Sequence, residues 1–296
     1  MPPRHTRSRA PRLTDEREAF LEMLERMPDF VSGVGRSRQD RRMIADRLFD
    51  ASCDCRDGMM AIGYALRAVR LDPACLDARV LLALAAGGPP GELIEELETI
   101  VSMGEADFGP EFFKQNRGEF WGLMETRPYM RARHYLALEL YKAGRIKDAI
   151  HHYKEMLQLN PGDNQGLRYS ILGHYLEIDD LDGARHLFQV YGDEPLAVFL
   201  WGRVLERYLS GDLIGAVEAL QQARRQNHHV EPFLVGKAKL PKARPDYYWV
   251  GDITEAMTCM DAIGPAWKAH REAIKWLKKE HGSGHLFNKA GTKVIQ

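Results

Sequence analysis

Cysteine is scarce: four in 296 residues, with only Cys53 and Cys55 close together. That is too few and too scattered for a disulfide framework, and the expected compartment is a reducing cytoplasm. No apolar run approaches the roughly 20 residues that a bilayer span requires. Mean hydropathy is -0.39, and residues 1–12 lack the apolar core of a secretory signal. A dominant sign of charge is missing as well. Lys plus Arg number 41 against 42 Asp plus Glu, a formal net charge of -1. Such balance argues against a whole-protein field tuned to nucleic acid or to acidic membranes, so no membrane is expected among the partners.

Catalytic signatures are lacking too. There is no H-E-x-x-H, no phosphate loop, no G-x-G-x-x-G after a strand and no G-x-S-x-G. Cys53-Asp54-Cys55 has a one-residue gap with no second pair at zinc spacing. Cys75 and Cys259 stand alone on apolar helix faces, where inert buried thiols are expected. His151-His152 and His228-His229 are adjacent, and neighbours on a helix diverge by about 100°, so neither pair chelates by itself. The expectation is a protein that is not an enzyme and takes no cofactor or metal.

What is present is periodicity. Residues 144–161 (GRIKDAIHHYKEMLQLNP) set Gly144, Ala149, Tyr153, Met156 and Pro161 at fixed offsets. Residues 58–73 repeat the pattern with Ala61, Ala65, Ala68 and Pro73, and 211–227 with Gly211, Ala216, Leu220 and Ala223. Weaker copies are Ala184, Phe188 and Tyr191, then Gly251, Ala256, Met260 and Ile263. From Ala149 onward the anchors step by 35, 32 and 40 residues, close to the period of about 34 in tetratricopeptide repeats. The physical sense is direct. A small anchor lets two antiparallel helices approach, and the residues at plus four and plus seven share its face and fill the gap. Glycine five before the anchor turns the chain, and proline opens the next helix. Leu136, Ala137 and Leu140 supply the first helix of the best repeat.

Helical spacing continues elsewhere: Phe20, Leu21, Leu24 and Met27 after Thr14; Leu76, Val80, Leu81 and Leu84; Leu93, Leu97, Ile100 and Val101. No stretch alternates as a strand between hairpin turns. The predicted fold is all-α, a tetratricopeptide-like α-solenoid of helical hairpins in a right-handed superhelix. Its expected parts are a disordered basic tail (1–13), an N-terminal helical cap with one degenerate repeat (14–110), a repeat domain (111–281) and a flexible or appended tail after Gly282-Ser283-Gly284 (282–296).

Some stretches are more specific than the repeat demands: GEFWGLMETRPYMRAR (118–133), LQLNPGDNQGLRY (157–169), NHHVEPFLVGKAKLP (227–241) and GDITEAMTCMDAIGPAWK (251–268). Together they resemble a subfamily of bacterial tetratricopeptide proteins similar to the C-terminal half of the eukaryotic suppressor of tumorigenicity seven family. The likeness covers roughly residues 50–280 and is strongest over 118–268. It implies the helical-repeat fold and an interaction role. The eukaryotic proteins carry membrane segments that this chain lacks, so their location does not transfer.

In a superhelix of hairpins the first helix of each repeat lines the concave face. Register from Ala149 places Arg131, His134, Leu138, Tyr141 and Lys142 there, with Arg127 just before them. The next repeat contributes Asn164, Gln165, Arg168, Tyr169, Leu172 and Tyr175, and the one after it Trp201, Leu205 and Tyr208. Arginine and aromatic residues dominate binding hot spots, so the expected ligand is a protein or peptide, acidic and apolar. His134 and Leu138 cannot supply the lysine–asparagine–arginine clamp that some tetratricopeptide domains close on a chaperone's C-terminal carboxylates. The same side chains have a structural reading. Arg127, Arg131 and Arg133 can pair with Glu119, Glu125 and Glu139, and Asn164 and Gln165 can cap a helix.

The sequence thus favours a protein–protein interaction scaffold. One alternative is a nucleic-acid-associated protein using the arginine-rich tail and the basic, aromatic segment 237–249, although such a segment is more often wedged between repeats with its aromatics over the core. Another is a small-molecule sensor or enzyme at the polar cluster 125–133 and 160–169.

Overall fold

The computed structural model describes residues 37–192, 194–243 and 247–282. The predicted N-terminal tail, the helix expected around Phe20 and Leu24, Arg244 and the predicted C-terminal tail after Gly282 lie outside the described residues. Thirteen α-helices and no strand occur among the described residues. The chain is an all-α, tetratricopeptide-like helical-repeat protein.

The helices form two compact units. The described residues up to Arg145, with Gln158–Asn160, make the first; Ile146–Leu157 and the described residues from Pro161 onward make the second. The first contains α1 (Arg38–Asp54), α2 (Gly58–Leu71), α3 (Leu76–Ala86), α4 (Pro90–Gln115) and α5 (Arg127–Lys142). Each packs on the next, and a turn of 3-10 helix (Met124–Thr126) lies between α4 and α5 in the chain. Ser37 and Asp40 close a capping box on α1, and the Asp57 carboxylate accepts from Met59 N and Met60 N at the start of α2. α4 breaks at Gly109 (φ 73°), just before Pro110. Around that break Phe108, Phe112, Phe113, Phe120 and Tyr129 pack ring against ring, with Phe108 and Phe112 stacked at 4.8 Å. Such pairs contribute about 1 kcal/mol each beyond their buried area.

Most of α6 (Ile146–Leu159) belongs to the second unit, with α7 (Leu167–Glu177), α8 (Leu181–Val190), α9 (Ala197–Leu209), α10 (Leu213–Gln226), the short α11 (Val230–Leu234), α12 (Ile253–Ala269) and α13 (Arg271–Gly282). The repeat logic is legible in its burial. Ala149, Tyr153 and Met156 on α6, Ala184 and Phe188 on α8, Ala216, Leu220 and Ala223 on α10, and Ala256, Met260 and Ile263 on α12 are all buried. In the first unit Ala65 and Ala68 are fully buried, while Ala61 is only half-buried. The position five before the anchor takes a left-handed conformation in four copies: Gly144 (φ 79°), Asp179 (φ 58°), Gly211 (φ 80°) and Gly251 (φ 83°). The turn is therefore kept even where glycine is not. Asp180 and Asp212, next in sequence, accept from Gly183 N and Gly215 N and start α8 and α10.

The 40-residue step comes from an insertion. α11 and the irregular segment that follows it lie between α10 and α12. α12 then departs from neighbour-only stacking, because it packs on both α7 and α9. Gly173 of α7 makes that crossing possible. A Cβ at this position would stand 2.0 Å from the Ala262 carbonyl oxygen.

Candidate functional site

α7 and α9 are the helices on which the sequence places the concave wall of the second unit, and α12 and α13 lie against them. Trp201 is fully buried and its Nε1 donates to Asn227 O at 3.2 Å. Leu205 is fully buried, and Leu172 packs on Gly202. Tyr175 is buried against Gly183 of α8. Tyr208 is half-buried and packs on Trp276 of α13 at 5.2 Å. These side chains serve the interior of the unit, and Trp201 has no surface to offer a ligand.

Arg168 is likewise committed. Its guanidinium contacts Asp163 Oδ2 at 2.9 Å and Glu194 Oε2 at 2.9 Å, and lies 4.3 Å from the Tyr169 ring. Tyr169 donates to Glu194 at 3.1 Å. Burial, above all, raises the pKa of this phenol. The cap of α7 is made by Asp163, which accepts from Leu167 N and Arg168 N. Neither Asn164 nor Gln165 fills that role. Asn164 is exposed, and the buried Gln165 Oε1 has no hydrogen-bond partner.

The first unit is different. There a cavity of about 540 Å³ opens between α1, the start of α3 and the start of α5. Met43 and Met124 stand at it with 47% and 67% of their surfaces exposed. Phe49, Ala74, Leu76 and Pro128 add apolar walls. Three guanidiniums (Arg42, Arg47, Arg131) and four carboxylates (Asp46, Asp50, Asp77, Glu125) complete the lining. Arg131, which the repeat register assigns to a concave wall, grips Asp77 with two nitrogens: Nε at 2.8 Å, and Nη2 on the second oxygen. The bond to Asp77 holds its proton more tightly than usual. Asp46 is pushed the other way from an ordinary carboxylate. Burial raises its pKa, Arg42 opposes the shift, and Asp72, Asp77 and Asp50 add to it. Cys75 also lines the cavity, its thiol pushed up to about 11 chiefly by burial. It is a protonated thiol at neutral pH and a poor nucleophile. Cys259 is fully buried, as expected of an inert thiol.

The neighbouring charges make internal contacts. Arg127 Nε donates to Trp121 O at 3.0 Å and the guanidinium lies over the Trp121 ring. Arg133 meets the Tyr129 hydroxyl and Glu105, and Tyr129 donates to Glu105 at 3.1 Å. Glu139 pairs with Lys142. His134 and Tyr141 are half-buried on α5, and burial lowers the pKa of His134. The polar cluster 125–133 is therefore largely a brace for the turn into α5. Thr126 completes it by donating to Phe120 O and Leu123 O.

Sequence reasoning missed Met43, Asp46, Asp77 and Met124. The available signal was two methionines on otherwise polar stretches, which mark adaptable apolar surface. Among the described residues no group of three His, Cys, Asp or Glu side chains is placed to hold a metal ion.

The tetratricopeptide repeat family matches residues 130–163, the stretch of sequence that contains Ala149. No curated protein matches the chain. The likeness to the suppressor of tumorigenicity seven family thus rests on the four sequence stretches alone. A tetratricopeptide repeat in an all-helical fold is the architecture of a protein-interaction scaffold. No helix among the described residues is long and apolar enough to cross a membrane.

Proposed function

We propose that this protein is a cytoplasmic interaction scaffold without catalytic activity, and that it seats a partner peptide or helix in the cavity of its first unit. The observation that carries the reading is the placement of Met43 and Met124, both exposed, on a cavity of about 540 Å³ anchored by the Arg131–Asp77 pair. Methionines make contact surfaces that adapt to an apolar side chain, and a fixed ion pair in the same cavity positions polar groups. The ligand assigned to it carries an apolar anchor flanked by charge. Basic groups suit Asp50 and Glu125, and an acidic group suits Arg47. The acidic, apolar ligand expected from sequence is thereby broadened to both signs.

The test is selection of binding peptides from a displayed random library on the purified chain. Affinities are then measured by calorimetry for the wild type and for Met43→Asp with Met124→Asp. Selected peptides should lose at least about tenfold in affinity, as expected when an apolar anchor loses its pocket. Ile214→Asp, a change at an exposed residue of the other unit, should leave binding intact. Peptides that bind the doubly substituted Met variant as tightly as the wild type would refute the site.

A further inference from the structure

The segment after α11 is not wedged over the core as such segments usually are. Tyr247, Trp249 and Val250 are 66%, 69% and 64% exposed, and Tyr248 and Ile253 are exposed as well. Four consecutive large apolar or aromatic side chains thus face water, with a fifth three residues on. Lys237, Lys239 and Lys242 are exposed just before them. Over 237–251 the sequence carries these three lysines and Arg244 against the single Asp246. The segment is therefore basic in a chain whose overall charge is balanced.

Its base is fixed. Trp249 N donates to Thr254 Oγ1 at 2.9 Å, and Gly251 N donates to the buried Glu255 carboxylate at 2.7 Å. Asn227 Nδ2 holds the Asp252 carbonyl at 2.8 Å. The aromatic tip consequently stands on an ordered foundation in the second unit. Unsatisfied apolar surface on a pinned support marks a contact site.

We infer that this segment is a membrane-surface anchor: Tyr247, Tyr248, Trp249, Val250 and Ile253 enter the interface of a bilayer with anionic headgroups, and Lys237, Lys239 and Lys242 bind its phosphates. Tryptophan and tyrosine settle at the headgroup level, where one end of the ring is apolar and the other wet. Valine and isoleucine gain by leaving water for the acyl boundary. Lysines add attraction to an anionic leaflet, which is the sign the cytoplasmic face carries. A single-stranded nucleic acid would use the rings and the lysines, but it would leave Val250 and Ile253 in water. Moreover, the Tyr247 and Trp249 rings stand 79° apart, which does not present parallel faces to successive bases. The balanced charge of the whole chain, and the lack of a spanning helix among the described residues, do not bear on such shallow, local binding.

The experiment is vesicle flotation with the full chain. One set of vesicles is pure phosphatidylcholine and the other contains about 30% phosphatidylserine, enough for a negative surface potential. The wild type should float with the anionic vesicles and stay behind with the neutral ones. Trp249→Ala with Val250→Ala, and separately Lys239→Glu with Lys242→Glu, should each weaken binding by about tenfold or more. Ile214→Ala, at an exposed aliphatic residue of α10, should not. All substituted side chains are exposed, so circular dichroism should show unchanged helix. Absence of flotation with anionic vesicles, or variants that float like the wild type, would overturn the inference. So would tighter binding of poly(U) than of vesicles, lost in the Trp249 variant, because that would make the surface a nucleic-acid site. Peptide binding at Met43 and Met124 is measured separately and can hold whichever way this result falls.

Discussion

Asn227 Nδ2 donates to Glu255 Oε2 at 2.9 Å, both residues buried, and this bond joins the end of α10 to the first turn of α12. The same carboxylate also accepts from Ala197 N, Gln226 Nε2 and Gly251 N. Every partner is a donor, so the site needs an acceptor on both oxygens. Glu255→Gln puts an amide among these donors and leaves some of them unsatisfied. The expected cost is about 3 kcal/mol, the scale on which buried polar groups are lost. Urea unfolding should show it. An unchanged midpoint would mean that the carboxylate is dispensable.

Gly173 yields a prediction whose sign opposes helix propensity. Alanine for glycine inside a helix ordinarily stabilises by about 1 kcal/mol. Here the added methyl would meet the backbone of Ala262 at 2.0 Å, and backbone cannot rotate away. Gly173→Ala should therefore destabilise by about 3 kcal/mol or more as α7 and α12 are forced apart. Gly91, in the first turn of α4, has open space where its Cβ would go. Gly91→Ala should be neutral or slightly stabilising. Melting temperatures of the two variants, compared with the wild type, decide the point.

What sequence could reach follows from the range of each interaction. The anchors Ala149, Ala184, Ala216 and Ala256 announce themselves because helix pairing repeats within one hairpin, and all four are buried. Asp179 shows the limit of a residue-type rule. The left-handed turn is retained, but a glycine search does not find it. The motifs more specific than the repeat turn out to hold pieces of fold together. Asn227 of NHHVEPF meets Glu255 of GDITEAMT, and Asp163 of NPGDNQG caps α7 and pairs with Arg168. Partners such as Asp77 for Arg131 lie 54 residues apart, beyond anything periodicity encodes. The covering of α7 and α9 by α12 was invisible for the same reason, since the repeat argument assumes that each hairpin touches only its neighbours.

The Arg131–Asp77 pair should behave as an organiser of the cavity more than as a large source of stability. Arg131 is partly open to solvent while Asp77 is nearly covered. Solvent screening limits the net value of the pair to about 1 kcal/mol. Asp77→Ala and Arg131→Ala in a double-mutant cycle should give a coupling of that order. Removal of Arg131 alone should cost more than removal of Asp77 alone, because it leaves a covered carboxylate uncompensated. Equal single-mutant costs with no coupling, read from urea midpoints, would show that the pair is incidental.

His174 should make the second unit sensitive to mild acid. It is buried on α7, with its ring centroid 5.6 Å from that of Tyr153. Burial lowers its pKa from the usual 6.5 to about 4. The folded protein therefore resists a proton that the unfolded chain accepts. Above pH 6.5 both states are neutral at this site and folding incurs no penalty. As pH falls from 6.5 towards 4, the unfolded state binds the proton first and stability declines, by roughly 3 kcal/mol across the window if the full difference is expressed. Below about 4 the folded state is protonated too and the decline from this residue ends. His174→Phe keeps an aromatic ring beside Tyr153 but removes the titration. Urea midpoints at pH 7 and pH 4.5 should therefore differ less for this variant than for the wild type. Parallel pH dependence in the two proteins would mean that other groups, such as the partly buried His134, carry the acid response.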